Sequence, residues 1–219
     1  VSTAIGCIQS LWAKEKPNFI LIITDDQTFE SISSLNSKEV KTPNIDRLVR
    51  NGTTFTHAFN QGSWSGAVSV ASRTMLLTGQ HVTHAQQTSA YMVNWARTVP
   101  IEETTRAALL GETLRENGYE TFITGKWHNT DEPLLRSFDV GVAVAEGFYE
   151  TFDEEGSKEF HYNRPNGGKW TPSNEDYKGH WSPAVRDIVY ENGEKKVTKK
   201  YTVNQHTSEL FADKAIEYI

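Results

Sequence analysis

The chain has 219 residues, enough for one domain with a real core, and its 37% apolar and 23% charged content is that of an ordinary globular protein. A net charge of -6 argues against a nucleic-acid binder, because neutralising phosphates takes a basic surface. The single cysteine, Cys7, excludes an internal disulfide, and no apolar run approaches membrane-spanning length.

Residues 1–13 (VSTAIGCIQSLWA) are small and apolar without charge, and Lys14-Glu15-Lys16-Pro17 follows at once. This pattern predicts the end of a secretory signal peptide, and hence a secreted or periplasmic protein. Ala4-Ile5-Gly6-Cys7 loosely fits a lipoprotein cleavage site; a plain N-terminal tail is the alternative. The first residue is not Met, and Ile219 falls inside a helical pattern, so a fragment cut at both ends is expected.

Phe19 to Thr24 (FILIIT) is a continuous apolar, β-branched run ending in Asp25-Asp26. Such runs predict strands buried on both faces of a parallel sheet, with ligands collecting where they end. Thr42-Pro43 opens a helix that Gly52 closes. Thr53 to Phe59 reads as a second strand, Ser72 to Leu77 as a short helix closed by Gly79. Thr105 to Asn117 is a helix with Leu109, Leu110 and Leu114 on one side, and Tyr119 to Thr124 returns as a strand. Strands alternating with helices predict an α/β fold with a largely parallel central sheet flanked by helices. From about 145 to 200 the chain is rich in Gly, Pro, Asn, Trp and Tyr and reads as a loop-rich surface insertion. Within it, Asp187 to Val197 reads as a hairpin turning at Asn192-Gly193. Ser208 to Ile219 is an amphipathic helix carrying Leu210, Phe211, Ala215, Ile216 and Ile219 on one face.

Three places carry residues suited to chemistry. Asp25 and Asp26 put two carboxylates at one strand end, where a divalent cation would relieve their repulsion. Oxygen ligands favour calcium or magnesium, although acidic pairs at loop starts are usually solvated. In Gly66 to Gly79 (GAVSVASRTMLLTG), a turn of small residues leads into a helix, placing Ser69 and Arg73 beside an anion-favouring N-terminus. A serine there is a nucleophile or a simple cap, and the cap is the commoner case. In Gly118 to His128 (GYETFITGKWH), Lys126 and His128 follow a strand, two residues apart. Extended alternation puts both on one side, suited to a tetrahedral anion and to proton transfer. The alternative is a surface lysine and a half-buried histidine.

Together these segments resemble the formylglycine-dependent sulfatases of the alkaline phosphatase superfamily. The first family signature, Cys or Ser, any residue, Pro or Ala, Ser, Arg, then an apolar pair before Thr-Gly, is matched by Ser69-Val70-Ala71-Ser72-Arg73 and Leu76-Leu77-Thr78-Gly79. The second, Gly-Tyr, a short strand, Gly-Lys, an aromatic and His, is matched by Gly118-Tyr119 and Gly125-Lys126-Trp127-His128. Pro17-Asn18 to Asp25-Asp26 and Thr42-Pro43-Asn44-Ile45-Asp46 also agree. The likeness covers residues 16 to 130 well and 201 to 219 loosely; three motifs in order weigh far more than one.

The resemblance implies an alkaline-phosphatase-like fold, with residues 1–13 a leader remnant and 14–219 the N-terminal part of a catalytic domain. It implies that Asp25 and Asp26, with Ser69, bind calcium, ahead of magnesium. Ser69 would be oxidised to formylglycine, and the serine form with Ala71 implies a radical maturase of the bacterial kind. Arg73 would hold the formylglycine hydrate, Lys126 would contact the sulfate, and His128 would hydrogen-bond the hydrate and help it collapse. The hydrate is a geminal diol: one oxygen attacks sulfur as the alcohol leaves, and the second expels sulfate and restores the aldehyde. Further metal ligands and a second Lys and His are expected beyond Ile219. The substrate would be a sulfated glycan or a small sulfate ester.

His81, His84, Gln86, Gln87, Trp64 and Trp95 are candidates for lining the substrate pocket, although core packing or a plain loop position is the commoner case for each; His161 and His180 read as surface residues. Two other functions compete. One is a phosphate or phosphonate ester hydrolase of the same superfamily using unmodified Ser69. The other is a non-catalytic homologue that binds sulfated glycans.

Overall fold

The computed structural model describes residues 16–25, 27–35, 37–64, 68–92, 107–146, 150–152, 158–160, 180 and 183–219. Cys7 and the leader-like residues 1–13, Asp26, Trp95, His161 and much of the 145–200 stretch lie outside them. The chain divides into two units, Val1–Phe59 and Asn60–Ile219.

The first unit is organised around one helix, α1 (Pro43–Asn51), which begins at Pro43 and ends as Gly52 donates its N–H to the Leu48 carbonyl at 2.9 Å. Asp46, in its first turn, gathers the preceding segment. Its carboxylate accepts from Ser33 Oγ at 2.6 Å, the Ser34 N–H at 3.0 Å and Thr42 Oγ1 at 2.9 Å. The Ser33 hydroxyl foremost holds the Asp46 carboxyl well below the usual range, at about 2. The two strands expected in this unit are absent from its described residues. Phe19, Ile20, Leu21, Ile22 and Ile23 are 48–74% exposed, and Phe55 and Phe59 are 81% and 85% exposed, in irregular backbone. A strand of this kind draws its stability from neighbouring ladders and from packing on both faces. With no sheet to join among the described residues of this unit, apolar composition alone does not make one.

The second unit is a helix-flanked sheet. In chain order its helices are α2 (Val68–Thr78), α3 (Val82–Met92), α4 (Leu110–Glu116), α5 (Asp131–Ser137) and α6 (Thr207–Tyr218). Its central sheet has the order β1 (Phe122–Lys126), β2 (Val140–Ala145), β5 (Ala184–Arg186) and β8 (Tyr201–Thr202). Two hairpins stand apart, β3 (Glu150–Phe152) with β4 (Lys158–Phe160), and β6 (Ile188–Glu191) with β7 (Glu194–Val197).

The α/β class and the flanking helices agree with the sequence reading, but the pairing is mixed. β1 and β2 are parallel, whereas β2 with β5 and β5 with β8 are antiparallel. The strand β5 lies inside the stretch read as a surface insertion, and its three residues are buried. The 187–197 hairpin is present, and its turn residues Asn192 and Gly193 have φ of 53° and 84°, the pair of left-handed conformations a tight two-residue turn requires.

The sheet is covered on both faces. On one, Leu77, Leu109, Trp127, Leu134, Val144 and Ile188 form a cluster joined by Ile123, Leu135, Phe138 and Val197. On the other, Ala143, Ala145, Val185 and Leu210 pack with Val142, Val203 and Phe211 of α6. Val144 faces one cluster and Ala145 the other, as strand alternation requires, whereas Val142 and Ala143 both join the second because the irregularity at Ala143 interrupts the alternation. Only part of the predicted apolar face of α6 is used: Leu210 is buried, but Ile216 is 73% and Ile219 82% exposed.

β2 carries one extra residue against β1, since Ile123 faces Gly141 but Gly125 faces Val144. Ala143 sits in this bulge with φ 52°, and its N–H donates to Asp187 Oδ1 at 2.7 Å. The Tyr201 hydroxyl donates to the same carboxylate at 2.8 and 2.9 Å. Partial burial and that carboxylate push the Tyr201 phenol above its usual range. The bulge matters for function because it sets the register that places Lys126 opposite Ala145 at the sheet's edge.

Candidate active site

Helix periodicity builds one side of the site. In α2, Val70, Ala71, Thr74 and Leu77 are buried, and this stripe fixes the helix against the rest of the unit. Ser69 and Arg73, four residues apart, then share a neighbouring face. Arg73 Nε donates to Ser69 Oγ at 3.3 Å, and Arg73 Nη1 donates to the Lys126 main-chain carbonyl at 2.7 Å. One guanidinium thus ties the first turn of α2 to the end of β1.

The end of β1 builds the other side. The Trp127 N–H continues the β1–β2 ladder by donating to the Ala145 carbonyl at 2.8 Å. The Trp127 ring is buried, meets Phe138 edge-on at 5.7 Å between centroids, and donates Nε1–H to the Thr130 carbonyl at 2.8 Å. Between these anchors the chain turns, and His128 adopts a left-handed φ of 60°. Its Nδ1 comes to 3.1 Å from Ser69 Oγ.

Ser69, Arg73, Lys126 and His128, chosen from sequence motifs, therefore meet in one place, Lys126 through its carbonyl. The expected route was different. Alternation along an extended strand put Lys126 and His128 on one side, but β1 ends at Lys126 and His128 reaches Ser69 through a left-handed turn. Alternation does not extend past such a residue, because a positive φ reverses the direction in which the next peptide leaves.

The hydrogen bonds restrict what the serine can do. Arg73 can only donate, so Ser69 Oγ accepts from it, while toward His128 Nδ1 the hydroxyl donates or accepts according to the imidazole tautomer. An oxygen at this position is thus held between a permanent cation and a group able to take or return a proton. The first turn of α2 adds outward-facing N–H groups that favour negative charge. The cluster suits an oxygen nucleophile attacking an anionic ester.

Of the expected cation ligands, Asp25 belongs to the first unit and Asp26 lies outside the described residues. Among the described residues no three His, Cys, Asp or Glu side chains gather as a cation site. The described donors do not by themselves assemble a cation site. His81, His84, Gln86 and Gln87 are exposed at the start of and along α3, a helix that sequence reading missed, with the His84 and Ala85 N–H groups donating to the His81 carbonyl. His180 is half-buried; its Nδ1 lies 3.1 Å from Thr207 Oγ1 and its ring stacks on His206. Among the described residues no helix is long and apolar enough to cross a membrane.

Comparison with known proteins gives the family. A family model described as Sulfatase matches residues 17–219. An N-acetylgalactosamine-6-O-sulfatase of Bacteroides thetaiotaomicron is 34% identical over 133 residues, covering 58% of this chain and 24% of that protein. An uncharacterized sulfatase of Schizosaccharomyces pombe is 29% identical over 219 residues, covering 94% of this chain and 35% of its own, and human arylsulfatase H is 34% identical over 52% of this chain and 20% of its own. No solved structure matches the chain. The chain belongs to the sulfatase family. It spans about a third or less of the length of these relatives.

Proposed function

We propose that the protein is a sulfuric ester hydrolase that removes sulfate from a sulfated carbohydrate, with Ser69 converted to formylglycine. The observation that carries this reading is Ser69 Oγ held between Arg73 Nε and His128 Nδ1. Relatives named for 6-O-desulfation of N-acetylgalactosamine and N-acetylglucosamine support the carbohydrate class.

Formylglycine, when formed, supplies through its hydrate both a nucleophilic oxygen and a way to release sulfate without a second attack by water. The surrounding residues have separable tasks. Arg73 donates to the oxygen on residue 69 and fixes its direction. His128 takes or returns a proton at Nδ1. Lys126 contributes an ammonium for the sulfuryl oxygens. Asp25 and Asp26, with residue 69, are the proposed calcium ligands, and calcium would add electrophilic stabilisation of the sulfate group. An apolar leader, a secreted or periplasmic location and a bacterial serine-type maturase complete the proposal.

The test is mass spectrometry of the peptide containing residue 69, from full-length protein coexpressed with a serine-type maturase. The expected result is loss of two hydrogens at residue 69 together with aldehyde-specific labelling. Matched aryl sulfate and aryl phosphate assays complete it. An unchanged serine with preferred cleavage of the phosphate would overturn the sulfatase reading in favour of phosphoester hydrolysis.

A further inference from the structure

The turn that delivers His128 is held partly by its own Trp127 and partly from outside. It contains a left-handed histidine, a conformation that non-glycine residues keep only where their surroundings over-determine it. Of its own side chains, Trp127 braces it by donating Nε1–H to the Thr130 carbonyl at 2.8 Å. Asn129, in the middle of the turn, is only 7% exposed, yet neither its Oδ1 nor its Nδ2 has a hydrogen-bond partner. One end of the turn is fixed by the Trp127 N–H on β2. The other end is Asp131, the first residue of α5.

Asp131 is gripped by Arg186, whose Nη2 lies 2.5 Å from Asp131 Oδ1. Arg186 belongs to β5 and pairs with Val144 of β2, so it lies on the α5 side of the sheet as Val144 does. Its Nη1 is 3.6 Å from Oε1 of Glu146, the residue that follows β2, and Lys200 Nζ holds Glu146 Oε2 at 2.6 Å. Arg186 is itself 9% exposed, and its buried Nε has no partner. The next residue, Asp187, fixes the Ala143 bulge that sets the β1–β2 register. Two consecutive residues of the predicted surface insertion thus hold both non-glycine left-handed positions beside the site, one directly and one through Asp131.

We propose that Arg186 is a positioning residue for the active site: its bridge from Asp131 to Glu146 holds the 127–131 turn so that His128 Nδ1 stays within hydrogen-bond reach of the oxygen on residue 69. A planar guanidinium can engage two carboxylates at a fixed angle, which an ammonium cannot. The consequence for turnover rests on the sulfatase reading above; the consequence for His128 geometry does not.

The experiment uses full-length protein with 15N-labelled histidine, the His128 resonance being assigned through His128→Gln. Arg186→Met should shift the His128 Nδ1 resonance toward that of an imidazole no longer bonded to residue 69. It should also lower kcat on an aryl sulfate roughly tenfold or more with KM nearly unchanged, the signature of misplacement by an ångström or so. Arg186→Lys should recover only part of both. Asp131→Asn, at a half-exposed helix terminus, removes the charge from the same clamp without touching the buried arginine and should move both readouts the same way, by less. If Arg186→Met and Asp131→Asn lower only the unfolding temperature, leaving the His128 resonance and kcat unchanged, the proposal is overturned. If the protein cleaves no sulfate ester, the resonance alone decides: a shift sustains the positioning role and an unchanged signal removes it.

Discussion

His128 Nδ1 lies 3.1 Å from Ser69 Oγ although 59 residues separate them in the chain. Nothing local in either segment requires that contact. α2 contributes Leu77 of its buried stripe to the cluster that also receives Trp127, the residue immediately before His128, and Arg73 ties the helix to the Lys126 carbonyl. The packing of two apolar surfaces thereby brings together two polar groups that neither surface contains.

Removing the imidazole should therefore cost rate rather than fold. His128→Ala is expected to lower kcat for an aryl sulfate by about 10²-fold or more, the range of a positioned proton-transfer group. The unfolding midpoint should change little, because His128 is only half-buried. Steady-state kinetics and urea denaturation on full-length protein measure the two effects separately. A variant with unchanged kcat would remove His128 from the chemistry.

Asp46 makes acid stability testable. Its carboxyl sits at about 2 in the fold against an ordinary 3.8, chiefly because the Ser33 hydroxyl donates to the ionised form. The folded state thus binds this proton less readily than the unfolded one. The stabilisation it gives is fully present above about pH 4 and is lost as pH falls toward 2. Asp46→Asn should be less stable than the parent at neutral pH, and the gap should narrow between pH 4 and 2. Denaturation curves of the two proteins across that range provide the check; a gap independent of pH would contradict the argument.

Gly111 marks where α4 crosses α5. A Cβ built there would lie 2.3 Å from the Ser137 carbonyl oxygen and 2.7 Å from Ser137 Cβ. Backbone at that distance cannot yield as a flexible side chain would, so Gly111→Ala should force the helices apart and cost about 1–3 kcal/mol. Because Arg136, on α5, also donates from Nε to Glu112 of α4 at 2.7 Å, the same substitution should weaken that pairing. Urea unfolding measures the loss, and a neutral result would mean the helices approach less closely in solution.

The hairpin turn offers a contrasting case in which backbone conformation alone decides. Gly193 has φ 84° and open space around it, so a side chain there meets no neighbour. Gly193→Val should still destabilise by about 1 kcal/mol or more, because a β-branched residue resists positive φ. Asn192→Gly should be tolerated, as glycine adopts the same conformation freely. Thermal unfolding of the two variants distinguishes them.

The sequence by itself determined much of what depends on neighbours in the chain, although the helices α3 and α5 were not read from it. The helix beginning at Pro43 and the turn at Asn192-Gly193 follow from fixed φ values, and α6 from helical spacing. The candidate residues Ser69, Arg73, Lys126 and His128, which the fold brings together, were picked out by two short motifs. Only the tertiary structure decided matters that depend on partners. Whether Phe19 to Ile23 becomes a strand depends on a sheet to receive it, and the 184–186 segment became one because β2 and β8 were beside it. The parallel or antiparallel sense of each pair is likewise set by which strands meet. Arg186 carries no motif, and its place near the site follows from β5 pairing with β2 and from the position of α5. Periodicity and capping are encoded within a turn or two of chain, whereas strand pairing and ion bridging are contacts between segments far apart in sequence, fixed only when the chain folds.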